Sequence, residues 1–375
     1  MKYSAFRPII SALILVSFTD SLAYAEAAPA AVAASQTKLS EATTLAEQGR
    51  DPAEFPAYVE QLKKEARAKG ISHATLDKAF ANIHFVDRVI KSDRNQLEKK
   101  ITLDDYLKRV ITPAKIKQAR SLAKQHQAEL ERVSAKSGVQ SRYIVALWAM
   151  ESNFGKLQGK EDVISALATL AFEGRREAFF TNELMAALKI IQRGDVSASQ
   201  MKGSWAGAMG QNQFMPSSLL RYGKDGDGDG KIDIWNNTRD VFASTANYLA
   251  MEGWQHGGGW GLEVKLPPGF NPSLLGTKPG QGKRVAQWKK LGVTLPNGLH
   301  LPASAQKGWL VKPDDGLGRS FLVYNNFRTL MHWNRSYYFA ISIGKMADAT
   351  RINKARLETL PRYSAAIFLS SIKGS

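Results

Sequence analysis

Ile144-Val-Ala-Leu-Trp-Ala-Met-Glu-Ser-Asn-Phe-Gly155 is the stretch on which the reading of this chain turns. On a helix of 3.6 residues per turn, Ile144, Leu147, Trp148 and Glu151 share one face, at i, i+3, i+4 and i+7. The run Ser141 to Glu151 therefore predicts a strongly apolar helix with a lone carboxylate on its apolar stripe. Burial disfavours the charged form of that carboxylate. So does a position near a helix C-terminus, where the dipole is negative. A carboxylic acid that stays protonated near neutral pH is what a general acid for glycosidic cleavage requires. By periodicity alone, the plainer reading is a Glu at the rim of the core, its head reaching solvent or an Arg. The rest of the sequence has to decide.

Outward from this helix the pattern stays helical. Val163 to Phe172 is apolar nearly all round, hence a buried helix. Glu177 to Gln192 is another, closed by Gly194, and Arg239 to Glu252 a third, stopped by Gly253. Upstream, Tyr58 to Lys69 stops at Gly70. Thr112-Pro113 supplies an N-cap and an N1 proline, and the helix it opens is expected to run to near Gly138. Ile116, Ala119, Ala123, Leu130 and Val133 lie on one face of it. Gly203 to Asn236 reads as a long structured loop. Between 257 and 318 Gly and Pro cluster, and Leu262–Leu266 and Gly308–Lys312 look like strands of a small β-rich insertion. Phe321 to Ile372, including Ser336 to Ala349, returns to helix. The expected fold class is mainly α. It has an N-terminal helical domain (51–137), a helical core (138–256), the β-rich subdomain (257–318) and a C-terminal helical segment (319–375). That last segment should pack back on the helical domain and the cleft.

Composition bounds the function. The 375 residues hold no cysteine, which excludes a disulfide scaffold, a Cys-ligated metal site, a Cys nucleophile and a lipid-modified N-terminal Cys. Six His without an HEXXH pattern argue against a zincin. The net charge of +17 points to nucleic acid, anionic lipid or an acidic polymer as partner. Residues 1–25 narrow that choice. Lys2 and Arg7, the apolar run Ile9 to Phe18, and Ala23-Tyr24-Ala25 read as a cleaved secretory signal. Residues 26–50 read as a flexible linker. No other stretch approaches 18 consecutive apolar residues, so no integral membrane span is expected in the mature chain. An exported, Cys-free, basic protein suggests a periplasmic location, where the abundant polyanion is cell-wall polymer. Nucleic acid drops out as a partner.

Two further segments carry chemistry. Gly203-Ser-Trp-Ala-Gly-Ala-Met-Gly-Gln-Asn-Gln-Phe-Met-Pro-Ser-Ser218 mixes glycines, amides, hydroxyls and rings. That mixture suits a saccharide cleft and equally an ordinary buried loop. Asp225-Gly-Asp-Gly-Asp-Gly-Lys-Ile-Asp-Ile-Trp-Asn236 fits D-x-D-x-D-G. Asp225, Asp227 and Asp229 take loop positions 1, 3 and 5, Gly230 makes the turn, and Lys231 offers its backbone carbonyl. Position 12 is Asn236, so a bidentate ligand must come from elsewhere, with Asp240 the candidate. Four acidic residues in nine positions repel without a cation. The loop at 225–240 is therefore read as EF-hand-like, binding a structural calcium, and no organic cofactor is expected.

Taken in order, these segments and Tyr324-Asn-Asn-Phe-Arg…Trp333-Asn334 resemble the membrane-bound lytic transglycosylase B family of peptidoglycan-cleaving enzymes, over about residues 55–372. The resemblance implies a lysozyme-like core in residues 138–256. It also implies non-hydrolytic cleavage of the bond between N-acetylmuramic acid and N-acetylglucosamine, leaving a 1,6-anhydromuramoyl end. Glu151 matches the single catalytic acid/base. Ser204, Gln213 and Asn334 match polar groups lining the cleft, Met209 or its neighbours a wall, and Tyr106 a cleft tyrosine. Arg175 and Arg176 match paired arginines, one of which reaches into the site. Trp333 stands where relatives often have Tyr, and stacking on sugar should survive. The Cys of a lipoprotein anchor is missing, and no appended wall-binding module is expected. The implied partner is the peptidoglycan glycan strand. Alternatives are a hydrolytic muramidase on the same fold and a non-catalytic wall-binding scaffold.

Overall fold

The computed structural model describes residues 50–94, 101–314 and 317–351. The expected signal and nearly all of the linker, and everything beyond 351 in the C-terminal segment, lie outside those residues.

The N-terminal part is a run of short helices: α1 (Phe55–Ala68), α2 (His73–Ala79), α3 (Asp87–Arg94), α4 (Leu103–Val110), α5 (Pro113–Gln125) and α6 (Gln127–Ser137). Side-chain caps start several of them. Ser72, Thr102 and Thr112 each accept a backbone N–H from the first turn, which satisfies one of the otherwise unpaired donors there. The single helix expected from Thr112 to Gly138 is two helices. His126 leaves helical geometry, and its ring packs edge-on against Trp148 (5.7 Å) and Phe242 (5.4 Å). No Gly or Pro marks this break; a tertiary contact makes it.

The core helices follow: α7 (Ser141–Ser152), then after strand β1 (Glu161–Asp162) α8 (Val163–Glu173) and α9 (Glu177–Arg193). Strand β2 (Lys202–Gly203) pairs antiparallel with β1. A short helix, α10 (Pro216–Tyr222), and α11 (Thr238–Met251) complete this part. The Gly-rich segment is therefore not all loop. Buried Glu183 of α9 caps α10 by accepting from Ser217 N (2.9 Å) and Ser217 Oγ (2.7 Å). A seven-residue helix capped from 34 positions away leaves little periodic signal.

The β-rich part holds β3 (Gly261–Val264), β4 (Lys283–Arg284), α12 (Val285–Lys290), β5 (Lys307–Val311) and β6 (Ser320–Val323). The strand order is β3-β6-β5-β4, with every pairing antiparallel. Leu322 faces Leu262 on one side and Leu310 on the other. Residues Phe321 to Val323, expected as the start of a helix, instead form an interior strand of this sheet. All four residues of β6 are buried, and a short continuous apolar run cannot by itself tell strand from helix. Helices α13 (Asn325–Trp333) and α14 (Tyr337–Ala349) then return to the helical body, where α14 packs on α7 and α4.

One hydrophobic cluster runs from Phe55 to Ala347 through the N-terminal helices, the core helices and α14. A second, around Trp288, Leu310 and Leu322, belongs to the sheet. Helix α7 sits in the middle of the first. Residues Tyr143 to Ala149 are all buried, so the apolar stripe read from its sequence is in fact nearly the whole circumference.

Candidate active site

The site is built where α7 stops. Glu151 is the penultimate residue of that helix, and the chain then turns sharply through Asn153 (φ 49°), Phe154 (φ 61°) and Gly155 (φ 81°). Left-handed backbone is costly for residues with a Cβ, and is held only where the surroundings over-determine it. Among the described residues the non-glycine positions with positive φ are Asn153, Phe154 and Gln213, and all three belong to this site. The turn leaves no room for side chains at its glycines. A Cβ on Gly159 would lie 2.0 Å from the Gly203 carbonyl oxygen.

Gln211, which the sequence reading passed over, ties the segments together. Trp148 Nε1 donates to Gln211 Oε1 (2.7 Å), and Gln211 Nε2 donates to the Trp235 carbonyl (2.9 Å). Ser152 Oγ donates to the Gln211 carbonyl (2.7 Å) and accepts from Gly155 N (2.9 Å). One buried residue, through its side chain and its carbonyl, thus links α7, the turn after it, the Gly-rich segment and the acidic loop. Its only sequence signal is its place inside the Gly203–Ser218 motif.

Glu151 lies in a densely packed, partly exposed setting. Burial pushes its carboxyl up to about 8, against the lowering effect of one hydrogen bond from Trp333. That bond runs from Trp333 Nε1 to Glu151 Oε1 at 2.7 Å, across 182 positions of sequence. Tyr106 of α4 is buried beside Tyr338 (5.5 Å between ring centroids). Its phenol is raised to about 12, chiefly by burial, with the Glu151 charge adding.

The other expected cleft residues are placed as follows. Ser204 is buried, and its Oγ accepts from Ala206 N (3.3 Å) and Ala208 N (3.0 Å), leaving its own proton to donate. Gln213 Nε2 is committed to the carbonyls of Gly210 (2.9 Å) and Gln158 (3.1 Å). Asn334 follows α13 directly, and its Oδ1 is buried with no partner. Met209 is fully buried and bridges Gly203 and Phe214 through its backbone, so it backs the wall and does not face the cleft. Arg175 and Arg176 both engage buried Asp93 of α3, and Arg94 beside it pairs with Glu173 (2.7 Å). That cluster fastens α3 to the junction of α8 and α9.

In the acidic loop, carboxylate oxygens of Asp225, Asp227 and Asp229 lie within 4.8 Å of one another, all exposed. An all-oxygen donor set of this kind suits a hard divalent cation such as calcium. Asp225 accepts from Gly228 N (2.6 Å) and Gly230 N (2.8 Å), and these bonds hold its carboxyl below the ordinary range. Lys231 N donates to Asp229 Oδ1 (2.8 Å). Asp240 lies outside the cluster. It is fully buried, with one oxygen on Gly226 N and the other on Asp233 N, both at 2.7 Å. In the structure it pins the two ends of the loop together, and its expected place as the bidentate ligand stays a proposal. Both of its oxygens are already hydrogen-bonded.

Comparisons with known proteins bear on the family and the fold. The family described as "Transglycosylase SLT domain" matches residues 54–348. The membrane-bound lytic murein transglycosylase B of Escherichia coli is 31% identical over 260 residues, 67% of this chain and 68% of that protein. The crystal structure of SltB3 from Pseudomonas aeruginosa, in complex with NAG-NAM-pentapeptide, superposes with a TM-score of 0.76 at 42% identity, over 79% of each chain. The Escherichia coli lytic transglycosylase Slt35 in complex with calcium superposes with a TM-score of 0.67 at 28% identity, covering 78% of this chain and 92% of that one.

Proposed function

The chain belongs to the SLT family of lytic transglycosylases, enzymes with a lysozyme-like, mainly helical fold, and from that premise we propose that Glu151 alone carries its reaction, as acid and then as base. The substrate is the glycan strand of peptidoglycan, cut between N-acetylmuramic acid and N-acetylglucosamine. The observation that carries the proposal is the carboxyl itself. It stands at the end of a helix in the middle of the core, and burial there pushes it up to about 8.

Glu151 protonates the glycosidic oxygen as the bond to C1 breaks. Retaining lysozymes place a second carboxylate across the sugar. Here the 2-acetamido oxygen of the muramoyl residue takes that part, stabilising the developing positive centre. Ser204, with a hydroxyl proton to give, and Asn334, with an unpaired amide oxygen, are the groups suited to hold the acetamide. Glu151, now ionised, accepts the proton of the C6 hydroxyl as that oxygen closes on C1. The ring formed is the 1,6-anhydro end, and the carboxyl is protonated again. Gln213, Tyr106 and the edge of Trp333 complete the lining.

Calcium, bound by Asp225, Asp227 and Asp229, would supply only charge compensation and rigidity to the loop behind Gln211. A supporting fact about a relative is that Slt35 was crystallised with calcium. We place the mature protein in the periplasm, exported by the signal at 1–25, with its +17 charge raising capture of acidic wall polymer. No helix among the described residues is long and apolar enough to cross a membrane.

The test is product identity. Mature protein incubated with sacculi should release anhydromuramoyl muropeptides, identified by mass spectrometry, and Glu151→Gln should release none. Reducing muramoyl ends would make the enzyme a hydrolase on this scaffold. Binding without products would make it a wall-binding protein.

A further inference from the structure

The reading of Glu151 as acid then base leaves a question of atoms: which of its two oxygens carries the proton. A carboxyl free to rotate or to swap its proton between oxygens would present the wrong one to the glycosidic bond part of the time. The structure contains a device against this.

Trp333 is the last residue of α13, and its indole N–H lies on Oε1 alone. The ring is fixed by its neighbours. Phe214 (5.2 Å) and Tyr248 (4.6 Å) lie against it, and Phe214 and Tyr248 also meet at 5.9 Å. Tyr248 in turn meets Tyr222 at 4.3 Å, and the Tyr222 hydroxyl donates to Glu252. Glu252 is further held by His332 (2.9 Å) and Arg221 (3.6 Å). An indole with neighbours on this scale cannot turn without displacing the row behind it.

The chemistry of the donor matters as much as its rigidity. An indole N–H only donates, and it does not titrate. It therefore faces Oε1 whether the carboxyl is neutral or ionised. In the neutral acid the carbonyl oxygen is the better acceptor, so the hydroxyl sits on the other oxygen. We propose that Trp333 is the positioning residue of the acid: it pins Oε1 as a permanent acceptor and leaves Oε2 as the oxygen that delivers the proton and takes it back. This rests on the assignment of Glu151 as acid/base. The proton count closes: Oε2–H passes to the leaving oxygen as the C1–O bond breaks, and the C6 hydroxyl proton passes to Oε2 as the C6–O–C1 bond forms. The ionisable neighbours that bear on the carboxyl are Tyr106 from α4 and, behind the indole, Tyr248, Tyr222 and Glu252 with its partners Arg221 and His332.

Removing the N–H takes a donor from the charged form, so the carboxyl should become harder to ionise. Trp333→Phe keeps a ring in the row while it removes the donor and part of the ring volume. It should lower kcat about tenfold or more, leave KM within about twofold, and move the alkaline limb of the rate profile upward. A ring that merely stacked on sugar would instead raise KM and leave the limb in place, which overturns the proposal. The second measurement needs neither the variant nor activity. In protein labelled with 15N-tryptophan, the indole signal of Trp333, one of eight tryptophans, should shift with a single midpoint near pH 8, and the shift should vanish in Glu151→Gln. A signal flat from pH 5 to 10 in the unaltered protein overturns the contact even if sacculi are cleaved. A titrating signal upholds it even if the product test fails.

Discussion

Glu151 and Asp225 are the same functional group in opposite settings. Glu151 is surrounded by core and receives one hydrogen bond, and burial carries its carboxyl to about 8. Asp225 is exposed and receives several backbone N–H groups, and its carboxyl is held below the ordinary range. The first setting suits the proton donor proposed for the reaction, and the second suits the anion proposed to hold a cation. The two regions are joined, because Gln211 bonds both to the helix carrying Glu151 and to Trp235 within the acidic loop. Burial at Glu151 and backbone donors at Asp225, and not the carboxyl group itself, move the two in opposite directions.

The largest effect should come from removing the acid. Glu151→Gln should lower muropeptide release about a thousandfold or more, since it deletes proton transfer in both steps; turnover within tenfold of the parent would contradict the assignment. Next comes the link between the regions. Gln211→Ala leaves the buried Trp148 N–H without a partner and the Trp235 carbonyl with Gln158 Nε2 alone, and should cost about 1–3 kcal/mol of stability, read by denaturant titration. Activity should fall with it, about tenfold, because the turn after α7 loosens.

A smaller effect sharpens the contrast from the stability side. The native Glu151 carboxyl binds its proton more tightly than the unfolded one, so it favours the native state fully below the ordinary Glu range near 4.5. That advantage is lost as the pH rises towards about 8. Glu151→Gln carries no charge and should therefore be more stable than the parent at pH 8, by about 2 kcal/mol in denaturant titration after allowance for partial solvent access. The gap should close near pH 4. The smallest effect belongs to the acidic loop. Chelation should lower the melting temperature by a few degrees, about the shift expected from losing a ligand near saturation, and leave the product pattern unchanged. An unmoved melt would remove calcium from the account.

Much of this was legible in the sequence because it is local. The Glu on the apolar face of 141–151, the helix stops at Gly70, Gly194 and Gly253, and the Asp-Gly repeat need only neighbours within a few residues. What was hidden depends on distance. The Trp333 bond spans 182 positions and the Gln211 bond 63, and no periodicity encodes either. The break at His126 follows from the rings of Trp148 and Phe242, and β6 is a strand because two other strands flank it. The charge and position of Asp240 suggest a ligand. Its burial and its two backbone partners come only from the fold.

The most direct test of the central claim is a titration of Glu151 itself, by carboxyl 13C NMR of protein labelled at glutamate, with Glu151→Gln to assign the signal. The structure predicts a carboxyl that stays protonated through neutrality and ionises near pH 8. A midpoint in the ordinary range near 4.5 would mean that burial does not hold the proton, and the acid-then-base account would fall with it.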